Sequence, residues 1–252
     1  SELIPLADSP VQGPDDGLVT VVVFSDLHCP FCSRGAETLE DLREEYPDEV
    51  KLVFKHYPLP FHQQADEASM AAMAAREQGE EYFWKIHDRI FDNQKAMKAL
   101  RGESFLDWAV GHADAIGLDA EQFEQDYRDN EDAYRERIER DKDLAGKLGV
   151  RGTPNHFING VALKGAKQLR AFEEVVEAEL EAAAEHQEAE KPMQAFYRER
   201  VESNFDKPKP RRDRRPKKKV KVSYVPVEDD DPVKGEADAP LVTIVEFSDF
   251  QC

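Results

Sequence analysis

Cysteine is scarce: the 252 residues contain only Cys29, Cys32 and Cys252, too few for a secreted scaffold held together by structural disulfides. Long apolar runs are also missing. No stretch approaches the roughly 18 apolar residues of a spanning helix, and residues 1–5 lack the charged and apolar regions of a signal peptide. Positive charge is short as well, with a formal net charge of −19. That balance argues against general binding to nucleic acid or anionic membrane, both of which need a positive face. An initiator Met is lacking, so a processed or trimmed chain is expected. What is present is 40% apolar and 35% charged residues, which allows a sizeable core in a soluble protein stabilised by packing. At this length, one core with an appendage is expected.

Cys29 and Cys32 form a C-x-x-C pair, and closing so short a loop adds little stability. Such a pair is better suited to redox change than to bracing. Residues 18–25 (LVTVVVFS) are β-branched and almost wholly apolar, which predicts a central strand buried on both faces. That strand feeds directly into Cys29. Residues 31–46 (FCSRGAETLEDLREEY) place Leu39, Leu42 and Tyr46 at helical spacing, with Pro47 as the stop signal. Residues 50–56 (VKLVFKH) read as a second strand, so the cysteines sit at a helix N-terminus within a right-handed, parallel βαβ unit.

Residues 63–148 show no convincing strand and are dominated by Ala, Glu, Gln, Met and Lys. Helices are predicted at 63–78, 81–93, 104–116, 120–127 and 132–148, with breaks at Gly79, Gly117 and Gly149. Strand pattern returns at 155–159 (NHFIN) and 161–164 (VALK), joined at Gly160 by a hairpin turn. A helix from 167 to about 185 follows. The order βαβ, helical block, ββα predicts an α/β protein, a thioredoxin fold with an inserted helical subdomain.

Residues 188–231 differ in kind, with ten Lys or Arg against one Asp at 207–221 (KPKPRRDRRPKKKVK). They read as a charged interdomain linker, held open by self-repulsion and prolines. A self-comparison explains their presence: 232–235 (PVKG) and 241–252 (LVTIVEFSDFQC) repeat 10–13 (PVQG) and 18–29 (LVTVVVFSDLHC). Residues 1–187 are therefore expected to form one domain, with its helical insertion at about 63–148, and 232–252 the truncated start of a second.

The chemistry follows from the place of Cys29. Only a thiolate attacks a disulfide, and the free N–H groups and dipole of a helix N-terminus lower a cysteine pKa to about 3.5–7.5. Cys32, one turn further on and expected to be more deeply buried, can then attack the mixed disulfide at Cys29 and release the partner. A zinc site is the alternative use of C-x-x-C, but it needs two more ligands, and neither His28 nor His156 supplies a matching second pair. Thr153-Pro154 opens the NHFIN strand, so Pro154 is a candidate cis residue that leaves neighbouring backbone groups free to pair with substrate.

FSDLHCPFC at 24–32, FKHYPLPFH at 54–62 and GTPNHFING at 152–160 together make about residues 10–185 resemble the DsbA-like thiol:disulfide oxidoreductases. The resemblance implies that Cys29 and Cys32 are the redox pair. It implies that Pro30 and Phe31 tune its potential, and that Thr153 with cis-Pro154 forms the substrate-contacting loop. It further implies protein substrates carrying thiols or disulfides, a redox partner that recycles the pair, and a bacterial periplasm or cell envelope. No cofactor, metal, nucleic acid or membrane span is expected. Two departures stand out. Pro30-Phe31 replaces the Pro-His of the most oxidising members, and Val23 stands where related domains tend to keep a buried acid, as the second copy does with Glu246.

Plainer readings apply to other residues. His56 and His62 flank a Pro-rich turn and are expected to serve turn or packing more than the active site, and Met70 and Met73 are expected in the core of the inserted helices. The rival to an enzyme is a peptide-binding module whose cysteines form a passive local disulfide. A glutathione-dependent transferase or isomerase of related fold is disfavoured, because such proteins generally lack the second cysteine.

Overall fold

The computed structural model describes residues 3–206, so the expected second copy at 232–252 lies outside the described residues. Strands β1 (Val11–Gln12), β2 (Val19–Ser25), β3 (Val50–His56), β4 (Asn155–Ile158) and β5 (Val161–Lys164) form a sheet ordered β1-β3-β2-β4-β5. Helix α1 (Pro30–Glu45) joins β2 to β3, which pair in parallel from Val19↔Val50 to Ser25↔His56. β4 runs antiparallel to β2 and to β5, and β1 closes the far edge antiparallel to β3.

β2 is central, and all seven of its residues are buried, as its unbroken apolar run requires of a strand covered on both faces. Val19, Val21 and Val23 face one core, shared with Leu39 and Leu42 of α1. Val22 and Phe24 face a second, with Val53, Phe157 and Val201. The insertion comprises α2 (Ala65–Arg76), α3 (Glu80–Asp92), α4 (Gln94–Met97), α5 (Glu103–Ala115), α6 (Ala120–Asp129) and α7 (Glu131–Lys147). Five of these match the predicted helices to within a few residues. The four residues of α4 are too few to show a period, and the two-residue β1 is equally invisible to pattern.

After α8 (Leu169–Glu188) the chain enters another helix, α9 (Met193–Asp206), inside the stretch expected to be linker. Met193, Phe196, Tyr197 and Val201 recur at helical spacing, but the charged composition around them masks the period. Phe196 and Val201 are each 2% exposed. Arg200 forks onto Glu179 of α8 at 2.6 and 2.7 Å, Asn204 donates to the Asn159 carbonyl, and the Tyr197 hydroxyl donates to the Ile4 carbonyl. Gly160 turns the β4–β5 hairpin at φ +91°, and a Cβ there would stand 2.8 Å from Val201 Cα. α9 is therefore seated on the hairpin by close backbone approach as well as by apolar burial.

Candidate functional site

β2 ends at Ser25, and four residues later Cys29 is the N-cap of α1, with extended dihedrals and Pro30 occupying the first helical turn. Pro is tolerated there because its missing N–H would have no partner. Both cysteines are free thiols, and both are buried, with Cys32 slightly deeper at 1% exposure than Cys29 at 3%. The Cys29 Sγ lies 3.9 Å from the Thr153 carbonyl oxygen, and the Cys32 Sγ accepts from the Asp26 N–H at 3.4 Å. Phe31 projects from the motif, 53% exposed, with the Arg34 guanidinium 4.7 Å from its ring centroid. The Thr153–Pro154 peptide is cis, and the Pro154 ring lies 3.1 Å from where a Cβ on Gly35 of α1 would stand. Residues 29–32 and 153–154 are thus brought together from opposite ends of the fold.

The two thiols differ sharply. The Cys29 pKa is lowered to about 5, first by a hydrogen bond from the Cys32 thiol, against burial, and then by Thr153 and the backbone N–H groups of Cys32 and Phe31. Cys32 is pushed far above the ordinary thiol range, by burial first and then by Cys29. Beside Cys32 a cavity of about 190 Å³ is lined by Val23, Ser25, Arg43, Phe91 and Pro154. Among the described residues no group of three or more His, Cys, Asp or Glu could hold a metal ion.

The family described as Thioredoxin matches residues 6–178. The chain belongs to the thioredoxin family. Within it the architecture is DsbA-like. A thioredoxin-like oxidoreductase from Silicibacter pomeroyi is 28% identical, with a TM-score of 0.53, over 68% of this chain and 92% of that one. The thiol-disulfide exchange protein α-DsbA2 from Wolbachia pipientis is 22% identical and shows the same fold, with a TM-score of 0.60 over 70% and 90% of the two chains. A Na⁺/H⁺ antiporter NhaA 1 from Mycolicibacterium vanbaalenii is 33% identical over 170 residues, 65% of this chain and 26% of the antiporter. The chain thus spans about a quarter of the length of such curated relatives.

Two polar residues of this thioredoxin-family site were not singled out from sequence. Asp26, with no solvent exposure, accepts from the His28 N–H at 2.7 Å, from the Leu59 N–H at 2.8 Å, and at 2.6 Å from His62 Nδ1. It ties the turn before Cys29 to the Pro-rich 57–62 loop, where the His62 ring stacks on His28 at 4.8 Å. A signal existed, since the internal repeat keeps this residue as Asp249. Gln94, on α4, donates its side-chain amide to the carbonyls of Leu27 and Cys29 at 2.9 and 3.1 Å, and nothing in the local sequence announces that contact. His56 lies apart from the site: it is 1% exposed, stacks edge-on to Phe54 and Phe83, and is held near a pKa of 3 by burial. Met70 and Met73 are buried in the core, as expected.

Proposed function

We propose that this unit is a thiol:disulfide oxidoreductase that exchanges disulfides with exported protein substrates, with Cys29 as the attacking thiol and Cys32 as the resolving one. The observation that carries this reading is the geometry of the pair: Cys29 caps α1 with its sulfur 3.9 Å from the Thr153 carbonyl oxygen beside cis-Pro154, and Cys32 lies buried one turn on, an arrangement that lowers the first thiol to about pKa 5 and raises the second by burial. At neutral pH Cys29 is a thiolate and Cys32 a thiol, which is the division of labour that exchange needs. The Cys29 sulfur attacks one sulfur of a substrate disulfide, and the other leaves as a thiolate. Cys32 then loses its proton and attacks Cys29, the substrate's second sulfur leaves, and a Cys29–Cys32 disulfide remains. Run in reverse, the same steps oxidise a substrate dithiol.

Phe31, Thr153 and Pro154 surround the Cys29 edge and are the proposed contacts for an extended substrate segment, Pro30 and Phe31 also tuning the potential. Turnover in either direction needs a partner couple that restores the pair, and a periplasmic or envelope setting suits exchange on exported proteins. The activity in the antiporters' name is not carried over, because the chain spans only a quarter of their length. The repeat at 232–252 supports a tandem arrangement of two such domains.

Equilibration of the Cys29–Cys32 pair against glutathione tests the reading. A stabilised Cys29 thiolate favours the reduced form, so the potential should lie well above the value of about −270 mV typical of thioredoxin itself. A pair that never equilibrates with glutathione would sink the proposal.

A further inference from the structure

Lys55 is a buried cation, 3% exposed, to which the proposed exchange gives no role. Alternation along β3 puts it on the same sheet face as Val53 of the second core, whereas Cys29 and Cys32 belong to the first. Its Nζ lies 3.2 Å from Oδ1 of Asp141 on α7, and Oδ2 of that carboxylate accepts from the His56 N–H at 2.9 Å. Asp141 is itself 3% exposed, so both of its oxygens are engaged inside the protein. Arg137 precedes Asp141 by one turn of α7, and its Nη2 is buried without a hydrogen-bond partner among the described residues. Burial holds both cations below the ordinary pKa range of their groups, with Asp141 opposing. Buried positive charge is costly unless it is paired and hydrogen-bonded, and here the pairing is incomplete.

Lys55 and Arg137 line one cavity of about 540 Å³, a size common among small-molecule sites. Arg140 and Lys147 line it too, so four cationic side chains face two carboxylates, Asp141 and Asp8, in a chain whose net charge is −19. Much of the remaining wall is apolar. Leu3, Leu144, Leu148 and Phe205 pack on the second core yet stay only half-buried, with apolar surface still to cover. A concave apolar wall with a few converging cations is completed by an anionic head on an apolar body. The chain's own continuation has the wrong sign to fill it, since 207–221 carries ten Lys or Arg against one Asp.

We propose that this cavity binds a small anionic amphiphile, a carboxylate or phosphate head on an apolar chain, with the head on Lys55 and Arg137 and the chain along Leu144, Leu148 and Phe205. The guanidinium fork of Arg137 matches either head, to which it donates two parallel bonds. Lys55 carries three donors, more than its contact with Asp141 uses. Bound there, the head supplies the counter-charge that the two buried cations lack, and the chain covers the half-buried leucines and Phe205. The site is independent of the exchange reading, because it belongs to the second core and the cysteines to the first.

Titration calorimetry of the full chain, carrying Cys252→Ser, with decanoate and with decyl phosphate below their micelle concentrations tests the inference. At least one should bind saturably at one per chain, and the tighter of the two identifies the head. Decanol, decyltrimethylammonium, acetate and inorganic phosphate should each bind at least about tenfold more weakly, because each lacks the anionic head or the tail. Arg137→Gln leaves Asp141 paired with Lys55 and should weaken the bound amphiphile about tenfold or more, the scale of one charge-assisted hydrogen bond. Lys55→Met alone would leave Asp141 buried and unpaired, so it is combined with Asp141→Asn, whose side-chain carbonyl still accepts from the His56 N–H, and the same weakening is expected. A third readout locates the ligand. An aryl disulfide such as dithionitrobenzoate releases one coloured thiolate when Cys29 attacks and a second when Cys32 closes the pair, and saturating amphiphile should leave both rates unchanged. No saturable binding of either amphiphile, equal affinity for decanol or bare phosphate, unchanged affinity in either cation variant, or slowed release, which would place the ligand at the cysteines, overturns the inference.

Discussion

At the scale of single residues, the two cysteines carry opposite predictions. In a Cys252→Ser background, where only the pair can react, Cys29→Ser should abolish release of thiolate from an aryl disulfide, because the only low-pKa thiol of the pair is gone. Cys32→Ser should keep the first release and accumulate a Cys29 mixed disulfide that mass spectrometry detects. Loss of both releases in Cys32→Ser would reverse the assigned roles. Asp26 makes a different prediction. Asp26→Ala strips the acceptor from the N–H groups of His28 and Leu59 and from His62, and an orphaned buried donor costs about 1–3 kcal/mol. Urea unfolding should show a loss of about 3 kcal/mol, and a loss under about 0.5 kcal/mol would mean that water replaces the carboxylate without penalty. Cys29, Cys32 and Pro154 were legible in the sequence because each sits in a local context that states its role: a strand before, a helix after, a strand opening. Asp26 and Gln94 were not, because their partners lie 33–36 and 65–67 residues away and only the folded chain brings them together.

At the scale of elements, legibility follows how strongly each segment repeats its own period. β2 and β3 were plain, since the first six residues of β2 (VTVVVF) are all β-branched or apolar and β3 (VKLVFKH) is built around the run Leu52-Val53-Phe54, patterns that admit few other readings. α9 was missed because its apolar stripe lies in a segment dominated by charge, and its stability comes from its contacts with Glu179, Asn159 and Ile4 instead of from its own propensity. Those contacts make Gly160 sensitive. Gly160→Ala would adopt an unfavourable positive φ and push its Cβ to 2.8 Å from Val201 Cα, so it should cost at least about 1–2 kcal/mol and loosen α9. Hydrogen exchange in 193–206 would report that loosening, and unchanged protection there would contradict the close seating. Gly35 is the counterpart in α1: an interior glycine costs a helix about 1 kcal/mol relative to alanine, yet a Cβ there meets the Pro154 ring at 3.1 Å. Helix propensity alone would call for alanine, and contact with the 153–154 loop explains the glycine.

For the whole molecule, the oxidation state of one pair should set a stability that depends on pH, and the sign follows from Cys29. In the reduced folded protein its pKa is about 5, against an ordinary thiol value of 9.0, so the folded state holds fewer protons than the unfolded chain between those values. The resulting stabilisation is complete above pH 9 and disappears as pH falls through 5. At pH 7 it spans about two pH units at about 1.4 kcal/mol each, or at most about 3 kcal/mol before screening by the open rim around Phe31. Cys32, raised by burial, titrates only at alkaline pH and leaves this window untouched. In the disulfide form the thiolate contribution is absent, and a loop this short adds little chain-entropy stabilisation in exchange. Urea unfolding of both forms at pH 7 and pH 4.5 should therefore show the reduced protein losing about 2–3 kcal/mol relative to the disulfide form on acidification. By linkage, the same difference makes the disulfide more oxidising at pH 7 than at pH 4.5 on the chain's own unfolded scale. If the gap between the two forms does not change with pH, Cys29 is not held as a thiolate in the folded protein, and its reactivity must arise from exposure of the thiol during local opening.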